Sequence, residues 1–186
     1  IAAITEAAMR GELDFEAALD ARVALLKGLD AGVIDRCLAE RVRTMPGAAT
    51  LVRTMRGWGA TAVLVSGGFT RFAGPVAAEI GFDRAIANVL EVDGGALTGT
   101  VARPIVGAAT KKATLIDYRA ELGLADTATL AVGDGANDLS MIESAGLGVA
   151  YRAKPIVAAA AMARIDHGDL TALLWAQGVP KKEWVK

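Results

Sequence analysis

Leu130-Ala131-Val132-Gly133-Asp134-Gly135-Ala136-Asn137-Asp138 is an apolar run that ends in glycines around one carboxylate, with a second carboxylate at Asp138. The spacing predicts a buried strand over 129–132 and a helix over 139–145. The turn between them therefore lies where the carboxyl end of a strand meets the amino end of a helix. Open α/β sheets bind their ligands at that point. Small hard cations such as Mg²⁺ take carboxylate oxygens and keep several waters. Gly133 and Gly135 let other groups approach the backbone closely. Asn137 adds a neutral donor and acceptor beside the acids. The stretch reads as a Mg²⁺ and phosphate site. A dinucleotide reading fails, because the third glycine is lacking and acids stand where a pyrophosphate would sit.

The rest of the chain supplies a core for such a corner. Of 186 residues, 53% are apolar and only 5% aromatic, so the core is built from Ala, Leu, Val and Ile. A formal net charge of −1 leaves no basic footprint for nucleic acid or an anionic membrane surface. No apolar run is long enough to span a bilayer. The single cysteine, Cys37, has no partner for an internal disulfide and reads as a small core residue, which fits a reducing, cytoplasmic setting. The chain opens at Ile1 already inside a helical pattern. The expectation is that further residues precede it.

Residues 1–40 read as helical throughout. Asp14 suits an N-cap, and Phe15, Leu19, Val23 and Leu26 recur as a helical apolar stripe. Arg22 projects from the face that carries Phe15. It reads either as a snorkelling arginine at the edge of the stripe or as a hook for a ligand carboxylate. Met9 and Phe15 read by pattern as core. Arg43-Thr44-Met45-Pro46-Gly47 breaks the helical region, which predicts a helical cap over 1–43 and an α/β core over 44–186.

A helix is predicted from Ala48, then a strand over 61–65. That strand runs into Ser66-Gly67-Gly68-Phe69-Thr70 and a helix to about Ile80, a second strand–turn–helix corner. Free N–H groups at a helix start favour an anion, and Ser66 adds a hydroxyl, although a plain helix cap would use the same residues. Residues 85–106 read as β-hairpins beside the site, with nothing catalytic in them. A helix over 107–122 carries Lys111 and Lys112; each reads as solvated, or as a cation aimed at phosphoryl oxygens. A strand at 146–150, a helix from Pro155 and a short strand at 163–165 complete the pattern. His167, the only histidine, sits in a turn and reads as structural.

Ser66 after one strand, Lys111 on a helix, and Asp134 with Asp138 after another strand stand in an order that resembles the haloacid dehalogenase-like phosphohydrolases. Glu6-Ala7-Ala8-Met9-Arg10-Gly11, Asp14-Phe15-Glu16, Arg22-Val23-Ala24-Leu25-Leu26-Lys27, Val65-Ser66-Gly67-Gly68-Phe69 and 132–138 are similar to the branch that hydrolyses O-phosphoserine. The resemblance implies a Rossmann-like α/β core with a parallel sheet, a small helical cap and a β-hairpin extension. It implies Mg²⁺ held by Asp134, with Asp138 supporting the metal shell through water. Asn137 would contact the substrate. Ser66 and Gly67 would donate to phosphoryl oxygens, with Lys111, rather than Lys112, beside them. Arg22 would hold the substrate carboxylate, and Met9 and Phe15 would line the pocket.

The implied reaction is hydrolysis of O-phosphoserine to serine and phosphate through a phospho-aspartyl intermediate, the last step of serine biosynthesis. Its partner is a small molecule, and a homodimer is compatible with it. The resemblance also implies an Asp-x-Asp-x-Thr motif on the first core strand, which this stretch of chain does not contain. Asp14-Phe15-Glu16 does not replace it, because it opens a helix. The 186 residues alone are therefore expected to bind but not to turn over. Two rivals remain: a phosphatase of the same fold acting on homoserine phosphate or a phosphosugar, and a non-catalytic phosphate-binding module.

Overall fold

The computed structural model of the chain describes residues 14–185. The Asp14 carboxylate accepts from the Ala17 N–H at 2.7 Å and so caps α1 (Phe15–Ala24), which buries Ala18, Leu19 and Val23. The chain becomes helical again in α2 (Gly32–Arg41). This corrects the reading of 1–40 as continuously helical; residues 1–13 lie outside the described residues. The break has a physical cause. Gly28, at φ +81°, donates its N–H to the Leu97 carbonyl at 2.8 Å, and Ala31 donates to Gly95 at 2.9 Å. Leu97 donates back to the Leu29 carbonyl at 2.8 Å. Pairing with a distant segment replaces the helical ladder there, and periodicity alone does not register it.

α3 (Ala48–Gly57) leads into β1 (Val63–Phe69), α4 (Thr70–Ile80) and β2 (Arg84–Asn88). β1 and β2 pair in parallel. The end of α4 is closed by side chains from α3 and the following loop. Arg53 donates to the Glu79 and Ile80 carbonyls, and Arg56 donates to Gly81 and pairs with Asp83. The predicted run of hairpins over 85–106 is thus only partly realised. Arg84–Asn88 is a parallel strand, as its unbroken Ala85-Ile86-Ala87 run suits. The antiparallel hairpin is β3 (Leu90–Asp93) with β4 (Ala96–Val101).

α5 (Ala108–Glu121), β5 (Leu130–Gly133), α6 (Leu139–Ser144), β6 (Leu147–Tyr151), α7 (Pro155–Ala160), β7 (Ala163–Ile165) and α8 (Ala172–Ala176) follow. β5, β6 and β7 form a second parallel ladder in that order.

α3 packs against the β5–β6 ladder and against α4. Leu51 and Met55 join Val149, Leu130 and Val132, whereas Ala48 and Val52 join Ile80, Ala62 and Phe82. A separate cluster joins Leu19, Val23 and Ile34 to Leu90, Leu97 and Val101, so the hairpin packs against α1 and α2. Among the described residues β1 pairs only with β2 and β5 only with β6, which leaves one edge of each without a strand partner. β6, flanked on both sides, is buried along Gly148–Tyr151, while β1 is only half-buried. No helix among the described residues is long and apolar enough to cross a membrane.

Candidate active site

The acid loop after β5 is built around Asp138. Its side chain is buried, and the two carboxylate oxygens take different partners. Oδ2 accepts from the Asp134 N–H at 3.1 Å and from the Gly135 N–H at 3.0 Å. Oδ1 accepts from the Lys111 ammonium at 2.5 Å. Burial alone would push the Asp138 carboxyl up. The Lys111 ammonium and the two loop N–H groups outweigh burial and hold it below the ordinary carboxylate range. The loop closes this tightly only because Gly133 has no side chain: a Cβ there would stand 2.4 Å from the Asp138 Cβ.

Lys111 and Thr114 are the two residues that α5 buries. Lys112, one position on, is exposed. A buried ammonium needs a partner, and Asp138 supplies it. The pair ties α5 to the acid loop and leaves the cation at the mouth of β5.

Asp134 is held differently. Its N–H goes to Asp138, and its carbonyl accepts from the Lys154 N–H at 3.0 Å. Its own carboxylate is exposed and makes no hydrogen bond or ion pair among the described residues. The backbone is pinned on both sides while the oxygens stay open. These same residues contain no cluster of three or more acids, histidines or cysteines suited to a metal. An ion held here would therefore lean on Asp134 and on water.

The second corner meets the first at Gly67. A Cβ on Gly67 would lie 3.9 Å from Asn137 Nδ2, 3.7 Å from the Val106 carbonyl and 3.3 Å from the Phe15 ring. Ser66 accepts the Gly68 N–H at 3.0 Å through its hydroxyl. The predicted strand over 61–65 in fact continues to Phe69, and its register against β2 shifts between Ser66 and Phe69. Gly67 and Gly68 thus sit in a bulge, a device that re-aims a strand end. The Phe15 ring lies over this bulge and over Gly107, where a Cβ would be 3.6 Å away.

Of the residues singled out from sequence, Ser66, Gly67, Asn137, Asp134, Asp138, Lys111 and Phe15 are joined by this chain of contacts. Arg22 is half-buried on α1, and its Nε donates to the Ala18 carbonyl at 3.1 Å. It forms no ion pair among the described residues, and its contacts do not link it to the acid loop. Met9 lies outside the described residues. His167 is exposed on a turn that Arg152 holds through the Gly168 carbonyl.

Sequence reading passed over Asn88. It is 1% exposed at the end of β2, and its amide bonds to Gly67 and Val106. A signal was there: a single amide inside the apolar run from Ala85 to Leu90 must find partners if the run is buried.

Comparison with known proteins finds a matching family and similar chains. The family model described as haloacid dehalogenase-like hydrolase matches residues 1–143. A phosphoserine phosphatase of Streptomyces coelicolor is 48% identical over 183 residues, covering 98% of this chain and 44% of the relative. A phosphoserine phosphatase of Polaromonas sp. is 46% identical, covering 94% of this chain and 76% of the relative. A solved structure described as a phospho-aspartyl intermediate analogue of phosphoserine phosphatase superposes with a TM-score of 0.84 at 36% identity. It covers 93% of this chain and 82% of the solved one. The chain thus spans less than half the length of the Streptomyces relative it matches.

Proposed function

Because this chain belongs to the haloacid dehalogenase-like hydrolase family, we propose that it is the catalytic part of a cytoplasmic enzyme that hydrolyses O-phosphoserine to serine and phosphate. The observation that carries this reading is the buried Lys111–Asp138 pair. It draws α5 and the acid loop together beside the Ser66–Gly67 corner and leaves the Asp134 carboxylate open. The names of the relatives supply the substrate, and the site supplies reasons of its own.

The phosphoryl group would sit between Ser66, the Gly67 backbone and Lys111. Phosphoryl transfer asks mainly for positioning and charge neutralisation. The Ser66 hydroxyl and the Lys111 ammonium meet that need without reorganising, since both helices and the loop are already tied. Asp138 acts through the loop and the lysine rather than on the substrate. Asn137 borders the Gly67 corner and is placed to contact the substrate.

Mg²⁺ fits this donor set: it binds through one or two carboxylates and retains waters, and Asp134 offers an open carboxylate on a pinned backbone. Bound there, it would offset charge on the phosphoryl oxygens.

We place the attacking aspartate on a further strand that pairs with the edges of β1 and β5 that have no strand partner among the described residues. The aspartate oxygen forms the bond to phosphorus as the bond to the serine oxygen breaks. The second aspartate of the same Asp-x-Asp-x-Thr motif gives its proton to the leaving serine oxygen and recovers one from the water of the next step. Water then cleaves the phospho-aspartate to phosphate and regenerates the carboxylate. The solved relative described as a phospho-aspartyl intermediate analogue supports this order of events. The helices before residue 44 form the cap. Phe15 covers the bulge, and Arg22 receives the substrate carboxylate through the guanidinium nitrogens that its bond to Ala18 leaves open.

Phosphate release from the full-length protein tests the proposal. O-phosphoserine should be turned over in preference to homoserine phosphate and sugar phosphates. Preference for a sugar phosphate would reassign the substrate, and binding without turnover would make the site a phosphate-binding module. Arg22→Ala should lower kcat/KM for phosphoserine by about 30-fold or more. It should leave p-nitrophenyl phosphate, which carries no carboxylate, within about twofold of wild type. Equal losses on both substrates would remove the carboxylate hook from the account.

A further inference from the structure

We propose that Asn88 is a positioning residue that sets the spacing between the Ser66–Gly67 anion corner and Lys111. This rests on the reading of that corner as a phosphate site.

The β1–β2 ladder pairs Ser66 with Ala87 and then Phe69 with Asn88, so Gly67 and Gly68 have no opposite number on β2. A bulge of this kind frees backbone groups from the ladder. Asn88 Nδ2 takes up the Gly67 carbonyl at 3.0 Å, which fixes the plane of the Gly67–Gly68 peptide. The same amide faces Val106 on its other side. Its Oδ1 accepts the Val106 N–H at 2.7 Å, and Nδ2 donates to the Val106 carbonyl at 3.4 Å. One side chain thus replaces a missing ladder rung and forms a bridge to a segment 18 residues away.

That segment is the entrance to α5. Val106 precedes Gly107, and the Gly107 carbonyl accepts the Lys111 N–H at 3.1 Å in the first turn of the helix. Moving Val106 moves the turn that carries the ammonium. The Phe15 ring, which touches the positions of both Gly67 and Gly107, lies over the two strands of chain that Asn88 joins. Asn88 uses most of its donor and acceptor capacity in these bonds.

The test compares binding of inorganic phosphate to the full-length wild type, Asn88→Leu and Asn88→Asp by calorimetry, with circular dichroism confirming that each is folded. Asn88→Leu keeps the branching and heavy-atom count of the side chain and removes every side-chain hydrogen bond, without adding charge. It should weaken phosphate binding by about 10- to 100-fold. Asn88→Asp keeps an acceptor for Val106 but sets an oxygen against the Gly67 carbonyl. It should bind weakly at pH 8 and regain affinity relative to wild type toward pH 5. There the protonated carboxyl donates to Gly67 in place of the amide. Taking the ratio to wild type at each pH cancels the titration of phosphate itself.

A merely structural role predicts folded variants that bind phosphate as wild type does, with no recovery on acidification. That result, in either variant, overturns the proposal and leaves the phosphate site standing. If Asn88→Leu does not fold, Asn88→Asp decides alone. Failure of wild type to bind phosphate would instead overturn the phosphate-site reading, and this proposal with it.

Discussion

Replacing Asp134 with Asn should lower Mg²⁺-dependent turnover of the full-length protein by about 10²- to 10³-fold while leaving its denaturation midpoint without Mg²⁺ unchanged. The reason is the division of labour within one residue. The backbone of Asp134 is committed on both sides, to Asp138 and to Lys154, whereas its carboxylate is exposed and unbonded among the described residues. The substitution keeps the shape and the backbone bonds and removes only the negative charge. Thermal unfolding gives a second readout. Mg²⁺ should raise the wild-type Tm in proportion to its occupancy, and the variant should lose that shift. An equal Mg²⁺ shift in both proteins would place the metal elsewhere.

Lys111→Met should behave in the opposite way, losing activity and stability together. Turnover should fall by about 10²- to 10³-fold. Stability near neutral pH should fall by about 3–5 kcal/mol, the usual cost of leaving one partner of a buried pair alone. The pH dependence identifies the cause. In the wild type the folded Asp138 carboxyl lies below its ordinary value. Its contribution to stability is therefore complete above the unfolded value, near pH 4, and is lost as pH falls through the lowered folded one. Without Lys111 the push of burial is opposed only by the loop N–H groups, and the variant gains stability when Asp138 takes up a proton. The gap between the two proteins should be widest at neutral pH and should narrow on acidification. A gap independent of pH would mean that Lys111 stabilises α5 by packing alone.

These contrasts explain which parts of the site could be read in the sequence. The acid loop was legible because its constraints are local. Gly133 must be glycine to clear Asp138, and the acids, the asparagine and the glycines lie within a few residues of one another. The order of strands and helices from Ala48 onward was legible from apolar runs closed by glycine. The break at 25–31 was not, because it is imposed by hydrogen bonds to residues 95–97. The parallel pairing of 84–88 was hidden for a related reason: a short apolar run carries no mark of its partner. Choosing Lys111 over Lys112 required either the family resemblance or the burial pattern of α5, since adjacent lysines look alike in a polar helix start. Asn88 was missed because its function lies in its partners, 18 and 21 residues away along the chain.

The proposed activity requires one pocket in which the open carboxylate of Asp134 stands beside the anion corner of Ser66, Gly67 and Lys111. Phosphorus NMR of phosphate bound to the full-length protein tests this most directly, with Mn²⁺ standing in for Mg²⁺. A paramagnetic ion at Asp134 should strongly accelerate relaxation of the bound phosphate, and Asp134→Asn should abolish the effect. Bound phosphate whose relaxation Mn²⁺ leaves unchanged would show that metal and phosphate occupy separate sites, and would contradict the account.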